Sequence, residues 1–315
     1  MYIDMRFLNL KTMIVVGEAM NYCLGTVQFG TNYGIQENGQ PQHEAVHSML
    51  TYALEHGITQ FDTASAYGEA EDVLGGYIRL NPELAKKMCM VSKLRPDAFM
   101  DSNENEWKQV TVDNARASLS RLGIACFTAY LFHNASFIFD EKAVNALCEV
   151  RKEGLAKHIG VSIYTPEEAM KALSYPQIDA IQIPYNLFDR RLDKCGFFSE
   201  AISKGVTVYA RSSLLQGLAV MNPDKLPNRV AFAKPFLLQY DDICREFAVP
   251  KLNAAIGYVA QKQGIDYVVF GVDNHKQLEE YISIEDIQLP DDMIAKIDRV
   301  FENAPEKLVN PVLWK

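Results

Sequence analysis

The sequence predicts an α/β protein, a closed (β/α)8 TIM barrel, on three observations. Short apolar strands alternate with amphipathic helices eight times between residues 22 and 282. Such alternation demands parallel strands joined by right-handed crossovers, and eight units are enough to close a barrel. The chain contains no G-x-G, which disfavours the rival open sheet with its G-x-G-x-x-G dinucleotide loop. Most of the strands also end abruptly in polar residues. That is the pattern of a barrel delivering side chains to its carboxyl-terminal mouth. The barrel is expected over residues 21–315 as one domain, with residues 1–20 as an N-terminal segment of uncertain structure.

The elements follow in order. Tyr22 to Gly30 reads as a first strand running into a glycine-rich loop, with Gly25 and Thr26 at the turn. Pro41 opens a helix through Glu55 whose Val46, Met49, Leu50 and Ala53 share one face. Residues 58–62 form the second strand and residues 69–78 a helix. Residues 88–93 form the third strand, and residues 106–121 a helix stopped by Gly123. The fourth strand, 127–132, ends at His133. Asp140 caps the helix that runs to Glu153, and Gly154 follows it. The fifth strand, 158–161, ends at Ser162, and Thr165-Pro166 opens the next helix. The sixth strand, 180–183, is followed by a helix over 192–204. The seventh, 206–209, ends at Tyr209. A helix over 252–263, the eighth strand at 267–270 and a helix over 276–282 complete the set. Two features lie outside the pattern: a long loop, about 211–250, after strand seven, and a tail with an extra helix from Asp291 to Phe301.

Composition narrows the function. The chain has 315 residues and a net charge of −9, from 31 basic and 40 acidic residues, with no long like-charge run. Nucleic acid and anionic membranes are therefore not expected as partners. Cys23, Cys89, Cys126, Cys148, Cys195 and Cys244 include no C-x-x-C pair and read as reduced packing residues. Met13 to Val16 is too short an apolar run for a membrane span. A cytoplasmic protein is expected, with its oligomeric state open.

The strand ends carry a reactive set. Asp62 closes the second strand, Tyr67 sits in the loop after it, Lys93 ends the third and His133 follows the fourth. A lysine at the end of an apolar strand needs an anion, and Asp62 on the neighbouring strand is placed to provide it. An ammonium beside a phenol favours phenolate, so Lys93 is expected to lower the Tyr67 pKa and make it a usable general acid. His133 can hydrogen-bond the same substrate oxygen. The four together suit a carbonyl oxygen that gains negative charge. The bland alternative is a rim ion pair with no chemistry.

These residues resemble those of the aldo-keto reductases. Asp62-Thr63-Ala64-Ser65-Ala66-Tyr67-Gly68-Glu69-Ala70-Glu71 is similar to their D-T-A-x-x-Y-G-x-x-E signature. Val91-Ser92-Lys93, Ser118 to Gly123, Tyr130 to His133, Gly160 to Ser162 and Gln182 to Asn186 resemble further family motifs. The resemblance runs from about Leu24 to about Tyr281. It implies NAD(P)H-dependent reduction of a small-molecule aldehyde or ketone, with Asp62, Tyr67, Lys93 and His133 as the catalytic tetrad. It also implies an extended nicotinamide cofactor, with Ser162 and Gln182 holding the carboxamide and Tyr209 stacking on the ring.

The chain departs from the family at two places. Ile163 replaces an Asn that follows the serine. After strand eight, Gly271, Val272 and Gln277 stand where a K-S-x-x-x-x-R pattern holds a 2′-phosphate, with Asp273 between them and Tyr281 replacing the final Asn. The resemblance favours NADP(H), and NAD(H) is expected to serve as well. Lys276 is the nearby cation that could substitute. Arg211 and the Ser212 to Gly217 stretch are candidates for the pyrophosphate, and Gly25 and Thr26 are further expected cofactor-binding residues. Phe29, Tyr33, Phe137 and Trp314 are expected substrate-pocket walls. Two rival functions follow from other features. His43-Glu44-Ala45-Val46-His47 matches the H-E-x-x-H helix of zinc hydrolases, though no metal site is expected. A nicotinamide-binding regulatory barrel with little turnover would also keep the tetrad.

Overall fold

The computed structural model describes residues 21–35, 39–284 and 287–314. The expectation for residues 1–20 lies outside them. Eight parallel strands close on themselves in sequence order: β1 (Tyr22–Gly25), β2 (Gln60–Asp62), β3 (Cys89–Leu94), β4 (Phe127–Phe132), β5 (Ala156–Ser162), β6 (Ala180–Pro184), β7 (Thr207–Arg211) and β8 (Tyr267–Gly271). β8 pairs with β1 and removes both sheet edges. The barrel helices are α1 (His43–Glu55), α2 (Ala70–Leu80), α3 (Trp107–Leu122), α4 (Glu141–Lys152), α5 (Pro166–Leu173) and α6 (Phe197–Lys204). They continue with α8 (Lys251–Ala260) and α9 (His275–Ile282), while α7 (Lys234–Glu246) and α10 (Asp291–Val300) are additional. Among the described residues, no helix is long and apolar enough to cross a membrane.

The core has two compartments because alternate strand residues face opposite ways. Cys23, Val91, Ala129, Leu131, Ala180, Tyr209 and Val269 fill the barrel interior. Outward-facing Phe61, Met90, Tyr130, Ile181 and Val208 pack under the helices in a separate, larger cluster. The same alternation carries Asp62, Lys93 and Arg211 to the upper end of the interior.

Local signals place the helices. Asp140 accepts from the Lys142 and Ala143 amides and caps α4. Thr165 and Glu168 form a reciprocal capping box at α5. Gly123 takes φ 71° and ends α3.

Three expectations need correction. The helix over 192–204 is two pieces, a 3-10 turn at Arg191–Lys194 and α6, because Gly196 adopts φ 76° between them. The long loop after strand seven contains α7, whose Leu237, Tyr240, Ile243 and Cys244 recur at helical spacing and are buried. Strand seven does not stop at Tyr209 but continues to Arg211. That two-residue extension changes which side chain reaches the mouth.

Candidate active site

A cavity of about 580 Å³ opens at the carboxyl ends of the strands. Its lining includes Gly25 from β1, Asp62 from β2, Ser162 from β5, Arg211 from β7 and Gly271 from β8, with Tyr67 and His133 from the loops. That volume lies within the range of small-molecule and cofactor sites.

The four expected reactive residues converge on it. Lys93 is fully buried, and its Nζ donates to Asp62 Oδ1 at 2.7 Å and to the Thr63 carbonyl at 2.9 Å. It also donates to the Tyr67 hydroxyl at 3.3 Å. Burial works against its charge, but Asp62 and then Tyr67 outweigh it, so its pKa is raised. The Tyr67 and His133 rings meet edge to face with centroids 5.6 Å apart. His133 is held neutral, its pKa pushed down to about 3 by burial and then by the Lys93 and Arg211 charges.

One expectation is reversed. The Tyr67 phenol is not lowered: burial pushes it up to about 12, and the opposing pull of Lys93 only limits the rise. The phenol is therefore protonated at neutral pH, and the lysine's field counts for less than the loss of water around the ring.

The loop carrying Tyr67 is fixed by a backbone contact. A one-turn helix, Val27–Gly30, packs against it so closely that a Cβ at Gly30 would lie 2.0 Å from the Tyr67 carbonyl oxygen. A Cβ at Gly68, itself at φ 55°, would lie 2.1 Å from the Gly30 oxygen. We expect Gly30→Ala to displace this loop, destabilising the fold by about 1–3 kcal/mol and lowering turnover more than cofactor affinity. Urea unfolding and steady-state kinetics check it; a variant with both stability and turnover intact would sink the loop argument.

Beyond the tetrad, a hydrogen-bonded chain crosses the mouth. Ser162 Oγ donates to Gln182 Oε1 at 3.1 Å, and Gln182 Nε2 donates to Asp62 Oδ1 at 2.7 Å. The register Ser162↔Gln182 and the adjacent strand ends make this possible. Arg211 extends it, with Nε donating to Ser162 Oγ at 3.4 Å and Nη2 to the Ile163 carbonyl at 2.9 Å. The position where a family Asn was expected thus contributes its backbone oxygen to Arg211. The link between Asp62 and Gln182 leaves no local signal in the sequence, because 120 residues separate them.

The other expected residues divide. Thr26 lines the cavity but spends its hydroxyl on the Asp62 carbonyl, 3.0 Å away. Gly217, Gly271, Asp273 and Gln277 all line it. Gln277 Oε1 accepts from the Asp273 amide at 2.7 Å, and its own amide is capped by Asn274. Glu280, missed in the sequence, lines the same end. Lys276 stays outside the lining, 83 % exposed and 3.8 Å from Glu280. Ser212, Leu215 and Gln216 all take left-handed φ, between 51° and 62°, a cost that clusters at ligand sites. Among the described lining residues, Arg211 is the single Lys or Arg.

Tyr209 is a correction. It is 2 % exposed, stacked on Tyr267 at 4.9 Å inside the barrel, and does not line the cavity. Of the expected pocket walls, Tyr33 lines the cavity and receives a hydrogen bond from Gln216 at 3.3 Å. Phe29 is buried in the core, Phe137 packs on Phe99 and Phe132, and Trp314 Nε1 bonds the Lys307 carbonyl.

The H-E-x-x-H helix turn looks elsewhere. His43 faces Glu69 at 3.7 Å, while His47 packs edge-on against Tyr77. Among the described residues, no group of three or more His, Cys, Asp or Glu could hold a metal ion.

The fold is an eight-stranded α/β barrel with a polar cavity at the carboxyl ends of its strands. The aldo/keto reductase family model matches residues 21–302, and the chain belongs to that family. It is accordingly an NAD(P)-dependent oxidoreductase. An aldo-keto reductase of Gibberella moniliformis is 29 % identical over 180 residues, which cover 56 % of this chain and 55 % of that protein. The NADH-specific methylglyoxal reductase of Escherichia coli is 24 % identical across 85 % of this chain and 90 % of its own. The solved holo form of a Bacillus halodurans aldo-keto reductase superposes with a TM-score of 0.71. It covers 89 % of this chain and 91 % of that one at 19 % identity, a likeness of fold.

Proposed function

We propose that this protein reduces an aldehyde or ketone to the alcohol with a nicotinamide cofactor, using Tyr67 as general acid. The observation that carries the reading is the convergence of the Tyr67 hydroxyl, Lys93 Nζ and Asp62 Oδ1 within hydrogen-bond distance at one cavity wall.

The residues present fit the cofactor. Gln28 Oε1 and His133 Nδ1 are buried with no hydrogen-bond partner among the described residues, as expected of groups awaiting a ligand. Ser162 and Gln182 offer a hydroxyl and an amide for the carboxamide, and the Ser212 to Gly217 backbone offers amides for the pyrophosphate. When bound, the cofactor supplies the hydride. The chain's own part is to place the carbonyl, exclude water and move one proton. Neutral His133 orients the carbonyl oxygen, and Tyr67 gives that oxygen its proton. Lys93, held by Asp62, donates to the phenol oxygen and stabilises the phenolate as it forms. A cytoplasmic location suits a site that depends on intracellular nicotinamide. The regulatory reading keeps the same cavity but predicts binding without turnover.

The family resemblance favours NADP(H), but Asp273 and Glu280 lie at the cavity end where Gly271 and Gln277 replace the phosphate-binding cations. We therefore expect NADH and NADPH both to serve, with specificity constants within about a hundredfold of each other, because two charge-assisted hydrogen bonds to a phosphate are lost. The assay is oxidation of each cofactor against a carbonyl panel in the presence of a chelator. Tight binding without turnover on any carbonyl would favour the regulatory barrel, and chelator-sensitive hydrolysis the zinc reading. Gln277→Arg should tighten NADPH selectively; no change would mean the phosphate binds elsewhere.

A further inference from the structure

The residue at the end of β7 sets a property that the tetrad does not. Side chains of Thr207, Tyr209 and Arg211 share the inward face of β7, because alternate strand residues face the same side. Tyr209 lies one layer down, stacked on Tyr267 in the barrel interior. Arg211, two residues on, is the side chain that emerges at the cavity wall.

Its guanidinium is held flat. The central carbon lies 4.5 Å from the Tyr164 ring centroid, and Tyr164 also lines the cavity. Its Nη2 bonds the Ile163 carbonyl at 2.9 Å, its Nη1 bonds Ser212 Oγ at 3.3 Å, and its Nε bonds Ser162 Oγ at 3.4 Å. Among the described residues, these hydrogen-bond partners are all neutral oxygens. This is a preorganised plane carrying a full charge, and such a plane stacks readily on a flat ring. Its contact with Ser162 sets it beside the residues expected to hold the carboxamide rather than at the expected pyrophosphate end.

The nicotinamide ring changes charge during the reaction. The oxidised ring is a cation and the reduced ring is neutral. A fixed cation beside the ring repels only the oxidised form, and the repulsion is several-fold stronger in a partly buried cavity than in water.

We propose that Arg211, backed by Tyr164, replaces the expected aromatic Tyr209 as the platform for the nicotinamide ring, and that its charge makes the protein hold reduced cofactor more tightly than oxidised. The inference rests on the reading of this cavity as a nicotinamide site. It would favour loading with reduced cofactor and release of oxidised cofactor, while the same charge opposes loss of hydride from the bound ring. It also makes Arg211 a positioning and selectivity residue rather than a proton carrier.

The test is equilibrium binding, independent of turnover. Dissociation constants for NADH and NAD+, and for NADPH and NADP+, are measured by nicotinamide fluorescence and its competition. Wild-type protein should hold the reduced form at least about tenfold more tightly than the oxidised form. Arg211→Gln should reduce that preference by about tenfold, chiefly by tightening the oxidised form. Arg211→Lys, which keeps the charge but not the plane, should retain most of it. An unchanged ratio in Arg211→Gln overturns the proposal. Equal weakening of both forms also overturns it and makes Arg211 a phosphate anchor. Wild-type protein that binds neither form overturns the nicotinamide reading itself, whereas binding both equally overturns only the role of Arg211.

Discussion

Tyr67→Phe will lower carbonyl reduction by about 10²–10⁴-fold, the range expected for loss of a positioned general acid, and leave the cofactor dissociation constants close to those of the wild type. The substitution removes one hydroxyl and keeps the ring that packs on His133. Lys93 Nζ keeps its bonds to Asp62 and to the Thr63 carbonyl. Fold and cavity should therefore survive, and the loss should fall on the chemical step. The pH dependence follows from the phenol, raised by burial to about 12. Reduction needs its protonated form, which dominates throughout the neutral range. The rate should stay level as far as Tyr67 is concerned and fall only as pH approaches the phenol pKa. Oxidation of the alcohol needs the phenolate and should rise with pH over the same range. His133, pushed down to about 3, adds no limb near its ordinary value of 6.5. Full turnover in Tyr67→Phe, or a reduction profile breaking near neutrality through Tyr67, would remove this residue from the proton-donor role.

Asp62→Ala should be the most destabilising single change at the mouth, costing about 3–5 kcal/mol. Lys93 is fully buried and Asp62 is 4 % exposed, so removing the carboxylate strands an ammonium away from water. The same carboxylate oxygen accepts from Lys93 and from Gln182, both at 2.7 Å, so one deletion takes an acceptor from two donors and the only anionic partner from Lys93 among its described hydrogen bonds. The linkage has a definite sign. Lys93 has its folded pKa raised, because Asp62 and Tyr67 together outweigh burial. A raised pKa gives stability that is fully present below the unfolded lysine pKa and is lost as pH rises through the folded one. The Lys93 contribution is therefore present in full at neutral pH and is lost only in strong alkali. Urea unfolding of wild type, Asp62→Ala and Asp62→Asn measures it. Asp62→Asn keeps an oxygen for one donor and should cost less. A loss below about 1 kcal/mol in Asp62→Ala, the level of an exposed pair, would mean that water reaches Lys93.

Particular residues show how far sequence reasoning extends. Asp62, Lys93 and His133 were legible because each interrupts an apolar run with a polar group, and a parallel barrel sends every such end to one mouth. The caps Asp140, Thr165 and Gly123 were legible because capping is chemistry within four residues. Helix α7 was not legible as a barrel element, although Leu237, Tyr240 and Ile243 carry its period, because it lies outside the strand-helix alternation. Tyr209 was misassigned for a subtler reason. An apolar run shows that a strand exists but not where pairing ends, and β7 continues through Arg211 because Pro184↔Arg211 still pair. Two residues of extra strand move the mouth by one full pleat.

The sequence by itself determined the alternation of elements, the closure into a barrel and which four polar side chains meet at its mouth. Periodicity and strand-end polarity are local properties, written in neighbouring residues. The tertiary structure alone decided the balance of forces among those side chains. Burial outweighs the Lys93 charge at Tyr67, Gln182 joins Asp62 across 120 residues of sequence, and Arg211 rather than Tyr209 faces the cavity. Desolvation and long-range hydrogen bonds depend on what closes around a group in space, and no local pattern in the chain records that.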